Sequence, residues 1–216
     1  MAEKKNIEGL EKELYSDRER MEIWIGENWK KCVILAAVVV IAVVAVYSVR
    51  YRSEEKRRAA IVALASAKAE ELPAVLAKYP DSPGAATAKM RLAEHLMSQK
   101  KYADAKARYA EVAQDRNAPA ELRGRAKIAG AACDELSGNL QDAAAACTAL
   151  MSDSSAGTTI REEAGFQAGR LLIALKEFDR AAEVLRNVAD MPAEGESNYR
   201  AMAGLLLKSL QSGDFK

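Results

Sequence analysis

The chain has 216 residues, in which 32 lysines and arginines face 31 aspartates and glutamates, so its formal net charge is only +1. A nearly neutral chain has no long-range attraction for nucleic acid, and we expect no nucleic-acid partner. Half of the residues are hydrophobic but only 6% are aromatic, a composition that suits closely packed short helices.

Residues 1–31 form a charged N-terminal arm. Apolar side chains recur in it at three- and four-residue steps, from Ile7 through Leu14 to Trp24. This spacing is typical of an amphipathic helix that lies on a membrane or against a partner helix. A solvated arm without a fixed partner is the equal alternative.

Residues 32–49 read CVILAAVVVIAVVAVYSV and contain no charge. At about 1.5 Å per residue, this run is long enough to cross a hydrocarbon core of about 30 Å as a helix. Trp29 and Tyr51 lie at its ends, where an aromatic belt is expected. The sequence therefore predicts one transmembrane helix in contact with membrane lipids, anchored by Val33, Ile34, Leu35, Ile41, Val44 and Val46.

The orientation of this span does not follow from its flanks. Lys30 and Lys31 precede it and Arg50 and Arg52 follow it, and the wider count of basic residues is nearly tied. A cleavable signal peptide is disfavoured, because a bulky, basic sequence follows the run in place of a small-residue cleavage site.

Residues 50–83 are predicted to form a juxtamembrane helix and a partial first repeat. A short helix begins near Leu72, stops at Tyr79 and Pro80, and a new helix starts after Pro83, since proline ends one helix but is accepted in the first turn of the next.

An internal repeat of 38 residues organises the rest of the chain. Residues 84–198 contain three units, each read as helix, tight turn and helix, and residues 199–216 are predicted to be a capping helix. Small residues at two positions of each unit let the paired helices approach closely, while larger residues fill the space between hairpins. The predicted packing residues are Ala93, Tyr102, Ala105 and Tyr109 in the first unit, Ala131, Leu140, Ala143 and Cys147 in the second, and Gly169, Phe178, Ala181 and Leu185 in the third.

This pattern resembles the tetratricopeptide repeat, whose usual unit is about 34 residues. Together with the predicted span, this resemblance gives an all-α chain: one N-terminal transmembrane helix followed by a tetratricopeptide-repeat-like α-solenoid of helical hairpins. Such a stack has a concave surface that binds extended or helical segments of other proteins. The residues expected to line it are Glu94, Met97, Arg170 and Ile173, for which an ordinary solvated helix face is the alternative.

We find no motif for catalysis, for a metal or for a cofactor, and the chain is not expected to be an enzyme. Its one histidine, His95, has no cysteine or second histidine close enough in sequence for a metal site. Cys133 and Cys147 fit small buried residues better than a disulfide, since a bridge needs Cα atoms within about 7 Å of each other.

The whole architecture resembles the YfgM-type family, the ancillary subunit of the bacterial SecYEG translocon, whose repeat domain is related to that of CpoB. The residues that carry the resemblance are the short charged N-terminus, the single span and the segment KYPDSPGAATAKMRLAEHLMSQKKYADA with the two repeats after it. The resemblance implies a single-pass protein of the inner membrane with a cytoplasmic N-terminus and a periplasmic repeat domain. Its expected partners are translocon subunits, periplasmic chaperones or client polypeptides. A scaffold for cell division, outer-membrane assembly or another secretion machine is the alternative function.

Overall fold

The computed structural model describes residues 17–192 and 197–213. Within these ranges the chain forms nine helices and no strand, which confirms the all-α fold class. The chain divides after Lys56 into two units. The helices are α1 (Asp17–Ser66), α2 (Leu72–Lys78), α3 (Ala85–Ser98), α4 (Tyr102–Gln114), α5 (Ala120–Leu136), α6 (Leu140–Met151), α7 (Thr158–Ala174), α8 (Phe178–Ala189) and α9 (Tyr199–Ser212).

The first unit contains the part of α1 that ends at Lys56. Of the described helices, α1 alone is long and apolar enough to cross a membrane, and its most apolar stretch has no buried residue. The predicted span, residues 32–49, lies wholly inside α1. All six predicted anchor residues are exposed, namely Val33, Ile34, Leu35, Ile41, Val44 and Val46.

A kink interrupts α1 at Asn28, whose φ of −111° and ψ of 18° are not helical. The side-chain amide of Asn28 donates to the carbonyl oxygen of Trp24 at 3.0 Å. In a regular helix that oxygen accepts from the backbone N–H of residue 28. A side chain that enters the backbone hydrogen-bond ladder is a recognised cause of helix kinks. The predicted arm therefore continues into the span as helix with one break, and its residues 1–16 lie outside the described part of the chain.

The three turns that join paired helices share one conformation. Lys100, Gly138 and Lys176, which are 38 residues apart, have positive φ values of 61°, 86° and 62°. After each, the next N–H bonds back to a carbonyl five residues earlier, the Schellman ending of a helix. The repeated turn reverses the chain, so each long helix meets the one that follows. These bonds are Lys101 N–H to Leu96 at 2.9 Å, Asn139 N–H to Asp134 at 2.8 Å and Glu177 N–H to Leu172 at 2.9 Å.

Each helix from α2 onward packs against the next helix in the chain. In addition, α3, α5, α7 and α9 contact one another in that order. Nine of the twelve predicted packing residues are buried, and the three that follow the turns are half-buried. The buried ones are Ala93, Ala105, Tyr109, Ala131, Ala143, Cys147, Gly169, Ala181 and Leu185, and the half-buried ones are Tyr102, Leu140 and Phe178.

Glycine allows the closest approach, between α7 and α8. A Cβ atom added at Gly169 would lie 2.4 Å from Cδ2 of Leu185, and one at Gly165 would lie 2.3 Å from Cγ2 of Val188. Both distances are far below van der Waals contact, so no larger residue fits without movement of α8. The small residue at position 169 is therefore a geometric requirement of this hairpin.

The two cysteines of the repeats occupy different hydrophobic clusters. Cys133 packs in the cluster of Tyr109 and Val112, and Cys147 packs in the cluster of Leu185. Both are free thiols. Burial raises the pKa of the Cys147 thiol to about 11 and also raises the pKa of Cys133.

Arginine side chains fix both ends of the second unit. Arg91 on α3 donates to the backbone carbonyls of Leu64 at 3.0 Å and Ala67 at 2.9 Å, and so satisfies acceptors that the end of α1 leaves free. At the other end, Nε of Arg200 on α9 lies 3.1 Å from Oε1 of the fully buried Glu162 on α7. The segment 57–66 and the last helix are thus both tied to the hairpins between them.

Candidate functional site

Two surface grooves lie side by side on the second unit. Groove 1 has a volume of about 620 Å³ and lies between α2, α3 and α4. Groove 2 has a volume of about 700 Å³ and lies between α4, α5 and α6. In both grooves, two helices form the walls and the helix between them in sequence forms the floor.

The walls and floor of groove 2 consist mostly of alanine and glycine. Ala145, Ala146 and Ala149 of α6 are exposed along one wall, and Gly130 lies on the floor. Side chains of one methyl group or less leave space between neighbouring helices that leucine or valine would fill. Little polar surface would lose water if another molecule covered this groove. Its lining residues are Lys106, Ala110, Ala113, Gln114, Ala126, Lys127, Gly130, Ala131, Asp134, Asp142, Ala145, Ala146, Ala149, Leu150 and Asp153.

The grooves are repeats of each other. Seven residues that line groove 1 have their counterparts, 38 positions later, in groove 2. The internal repeat therefore places equivalent helix faces in equivalent grooves. The pairs are Lys89 and Lys127, Leu92 and Gly130, Leu96 and Asp134, Asp104 and Asp142, Ala107 and Ala145, Arg108 and Ala146, and Glu111 and Ala149.

A further 38 positions along the chain, two of the corresponding residues differ in size from those of groove 2. Position 127 of groove 2 corresponds there to Gly165, and Ala113 corresponds to Met151. A Cβ atom at Gly165 would lie 2.7 Å from the sulfur of Met151. At this level the Met151 side chain thus lies against Gly165, where groove 2 has Ala113 beside Lys127 in the equivalent positions.

Ion pairs brace the two ends of groove 2. Lys106 Nζ lies 2.6 Å from Asp134 Oδ1, and Lys127 Nζ lies 3.0 Å from Asp153 Oδ2. The Ser155 hydroxyl donates to Asp153 at 2.6 Å, and this bond, with that from Lys127, lowers the pKa of the Asp153 carboxyl to about 2. Asp142, by contrast, forms no ion pair or hydrogen bond with any residue of 17–192 or 197–213. Both lysines are engaged, so the groove has one free carboxylate at its edge.

The four residues that sequence analysis assigned to a partner groove lie elsewhere. Glu94 is exposed on α3, and Met97 is half-buried and accepts a hydrogen bond from the Tyr109 hydroxyl at 3.3 Å. Arg170 donates two hydrogen bonds to Glu135, at 2.7 and 2.6 Å, while Ile173 is half-buried against the core. None of the four lines groove 1 or groove 2. Their role in partner binding stays a prediction.

His95 lies close to two polar side chains, Gln99 and Glu70. Its Nε2 lies 2.7 Å from the side-chain nitrogen of Gln99 and 4.0 Å from a carboxylate oxygen of Glu70. Within residues 17–192 and 197–213, no group of three or more histidine, cysteine, aspartate or glutamate side chains is arranged to hold a metal ion.

The fold and the grooves define an all-α protein with one candidate membrane span and an exposed, small-residue surface on its helical hairpins. Comparison of the chain with family models, with curated proteins and with solved structures found no significant match.

Proposed function

We propose that the chain is a membrane-anchored, non-catalytic module for protein–protein interaction. The observation that carries this proposal is groove 2, an exposed channel about 700 Å³ in volume that is lined mostly by alanine and glycine and has an ion pair at each end. Concave, mainly apolar surfaces with a few placed polar groups are the usual binding sites of proteins. A partner helix fits a channel between helices as one helix packs into the groove of another.

We also propose that the hairpins form a tetratricopeptide-like solenoid. The 38-residue spacing of the packing residues and of the left-handed turn residues supports this proposal. The contacts of α3 with α5, α5 with α7 and α7 with α9 support it as well, because stacked repeats bury their faces against their neighbours. In this arrangement α9 is the terminal cap.

The cellular role that we propose follows the resemblance to the YfgM-type family. The protein would be a single-pass protein of the bacterial inner membrane, with its N-terminus in the cytoplasm and its hairpins in the periplasm. There it would act as an ancillary subunit of the export translocon and link it to periplasmic chaperones and client polypeptides. An envelope scaffold for cell division, outer-membrane assembly or another secretion machine is the second candidate.

Site-specific crosslinking in living cells tests the proposed function. A photoreactive amino acid is placed at Ala146, which is exposed in groove 2, and in a matched variant at Glu183, which is exposed on α8 outside both grooves. We expect crosslinks from position 146 to translocon subunits or chaperones, identified by mass spectrometry. Crosslinks to envelope-assembly proteins would favour the second candidate. A chain that crosslinks to no protein from either position would contradict an interaction module.

Thiol labelling tests the proposed topology separately. Ser154 is exposed in the loop between α6 and α7 and can be replaced by cysteine in a chain whose own three cysteines are alanine. An impermeant thiol reagent should label this Ser154→Cys variant on intact spheroplasts. Labelling only after lysis would place the hairpins in the cytoplasm and overturn the periplasmic assignment.

A further inference from the structure

Around Asn28, the first unit changes from a segment with charges to an apolar one. Residues 18–27 contain five charged residues, namely Arg18, Glu19, Arg20, Glu22 and Glu27, together with exposed apolar side chains, whereas residues 32–49 contain no charge. Arg18 and Glu22 form an ion pair at 3.5 Å, so the charged groups of this segment are partly balanced. The backbone leaves helical geometry between the two segments, at Asn28.

The segment before Asn28 has an apolar face of three residues, while Ile23, which is also exposed, lies on the opposite side of the helix. Met21, Trp24 and Ile25 recur at three- and four-residue steps, which places them on the same side of a helix, and all three are exposed. The pattern is continuous with the apolar span, which begins four residues after the kink. Helices that lie in the plane of the membrane interface have an apolar face of this kind, which they bury at the level of the lipid headgroups.

The groups around the kink are those found at the level of lipid headgroups. The two tryptophans of the chain, Trp24 and Trp29, lie on either side of Asn28 with similar exposed fractions of 58% and 56%. Lys31 Nζ donates to Oδ1 of Asn28 at 3.0 Å, and Lys30 Nζ lies 5.8 Å from the centre of the Trp29 ring. Tryptophan and lysine are the residues that mark the membrane–water interface.

From these observations we infer that Asn28 is the hinge between the membrane span and a lipid-binding helix, residues 17–27, which lies along the membrane surface. The apolar face of Met21, Trp24 and Ile25 contacts the acyl-chain boundary, and Glu22 and Glu27 lie off this face, toward water. The occupant of this surface is the lipid bilayer itself. The inference does not depend on the proposed protein partners or on which side of the membrane the hairpins occupy.

The inference fixes the depth of Trp24. If α1 were a straight helix along the membrane normal, Trp24 would lie about 7.5 Å further from the bilayer centre than Trp29, because the two are five residues apart. In a helix that turns into the membrane plane at Asn28, the two indole rings lie at nearly the same depth. Depth is measurable because the chain contains two tryptophans only.

The experiment uses the full chain in liposomes with two single-tryptophan variants, Trp29→Phe to observe Trp24 and Trp24→Phe to observe Trp29. Lipids brominated near the headgroup should quench both to the same extent, and aqueous iodide should quench neither strongly. Asn28→Leu, which removes the side-chain hydrogen bond to the Trp24 carbonyl, should remove the lipid quenching of Trp24 and leave that of Trp29 unchanged. Ser48→Leu is the matched control inside α1 and should change neither tryptophan.

Two results would overturn the inference. The first is strong iodide quenching of Trp24, without lipid quenching, in a chain that retains Asn28. The second is an Asn28→Leu variant in which Trp24 keeps its depth, because the hinge would then not depend on the asparagine.

Discussion

Replacement of Gly169 by alanine should destabilise the hairpin of α7 and α8 although alanine is the better helix former. The new Cβ atom would lie 2.4 Å from Cδ2 and 2.6 Å from Cγ of Leu185, which is fully buried. Overpacking of a well-packed core costs about 1–3 kcal/mol. Alanine in place of glycine within a helix gains about 1 kcal/mol. We therefore expect a net loss of about 0–2 kcal/mol in the free energy of unfolding.

Gly204→Ala on α9 is the matched control. A Cβ atom at Gly204 meets no atom within 4 Å, so this variant gains the helix propensity without the steric cost. Because the propensity gain is common to both variants, their difference isolates the contact with Leu185. We expect Gly169→Ala to be less stable than Gly204→Ala by about 1–3 kcal/mol.

The assay is urea unfolding of the full chain in detergent, followed by circular dichroism, with the midpoints of the variants compared at equal slope. A Leu185→Ala change should make the Gly169→Ala variant less costly than it is in the native background, since the clashing atoms are gone. Equal midpoints for Gly169→Ala and Gly204→Ala would refute the claim that α7 and α8 require glycine at their crossing.

Three other changes test separate contacts. Arg91→Ala should cost about 1.5–3 kcal/mol and speed amide exchange in residues 57–67, because charged donors to the end of α1 are lost; Arg91→Lys should recover only part of this. The hydrogen bond from Arg170 lowers the pKa of Glu135, so this pair stabilises the fold above pH about 4.3 and loses its contribution as the pH falls further. The stability of the Glu135→Gln variant should therefore lack this part of the decrease when the pH is lowered below about 4.3. Burial raises the pKa of Tyr109 to about 12, so the free energy of unfolding should fall as the pH rises from 10 to 12, and Tyr109→Phe should reduce this loss.

The apolar helix and the positions of the turns could be predicted from the sequence, because each has a regular pattern of residues. The apolar run 32–49 predicts its own helix, and the 38-residue spacing of Tyr102, Leu140 and Phe178 predicts where the turns fall. The positive φ at Gly138 was also readable, since glycine is favoured at such turns. Lys100 and Lys176 have the same positive φ at the two equivalent turns, but lysine is not a residue type that predicts it.

The grooves were not accessible in the same way. Alanine occupies both the buried contact at Ala143 and the exposed wall at Ala146, so residue type alone does not distinguish a core position from an open surface. A comparison of repeats could have found groove 2, because Met151 replaces Ala113 at the next level. The anchoring of α1 by Arg91 joins a side chain to backbone carbonyls 24 to 27 residues away, and no sequence pattern encodes that pairing.

The separate burial of the two repeat thiols has a consequence for oxidation. With a pKa of about 11, the Cys147 side chain is a thiolate in only about one molecule in ten thousand at pH 7, and the thiolate is the species that reacts. Cys133 lies in another cluster and its pKa is raised too. Once folded, the hairpins can therefore persist in oxidising surroundings without a disulfide, and the redox state of these two thiols should be insensitive to the glutathione poise around them.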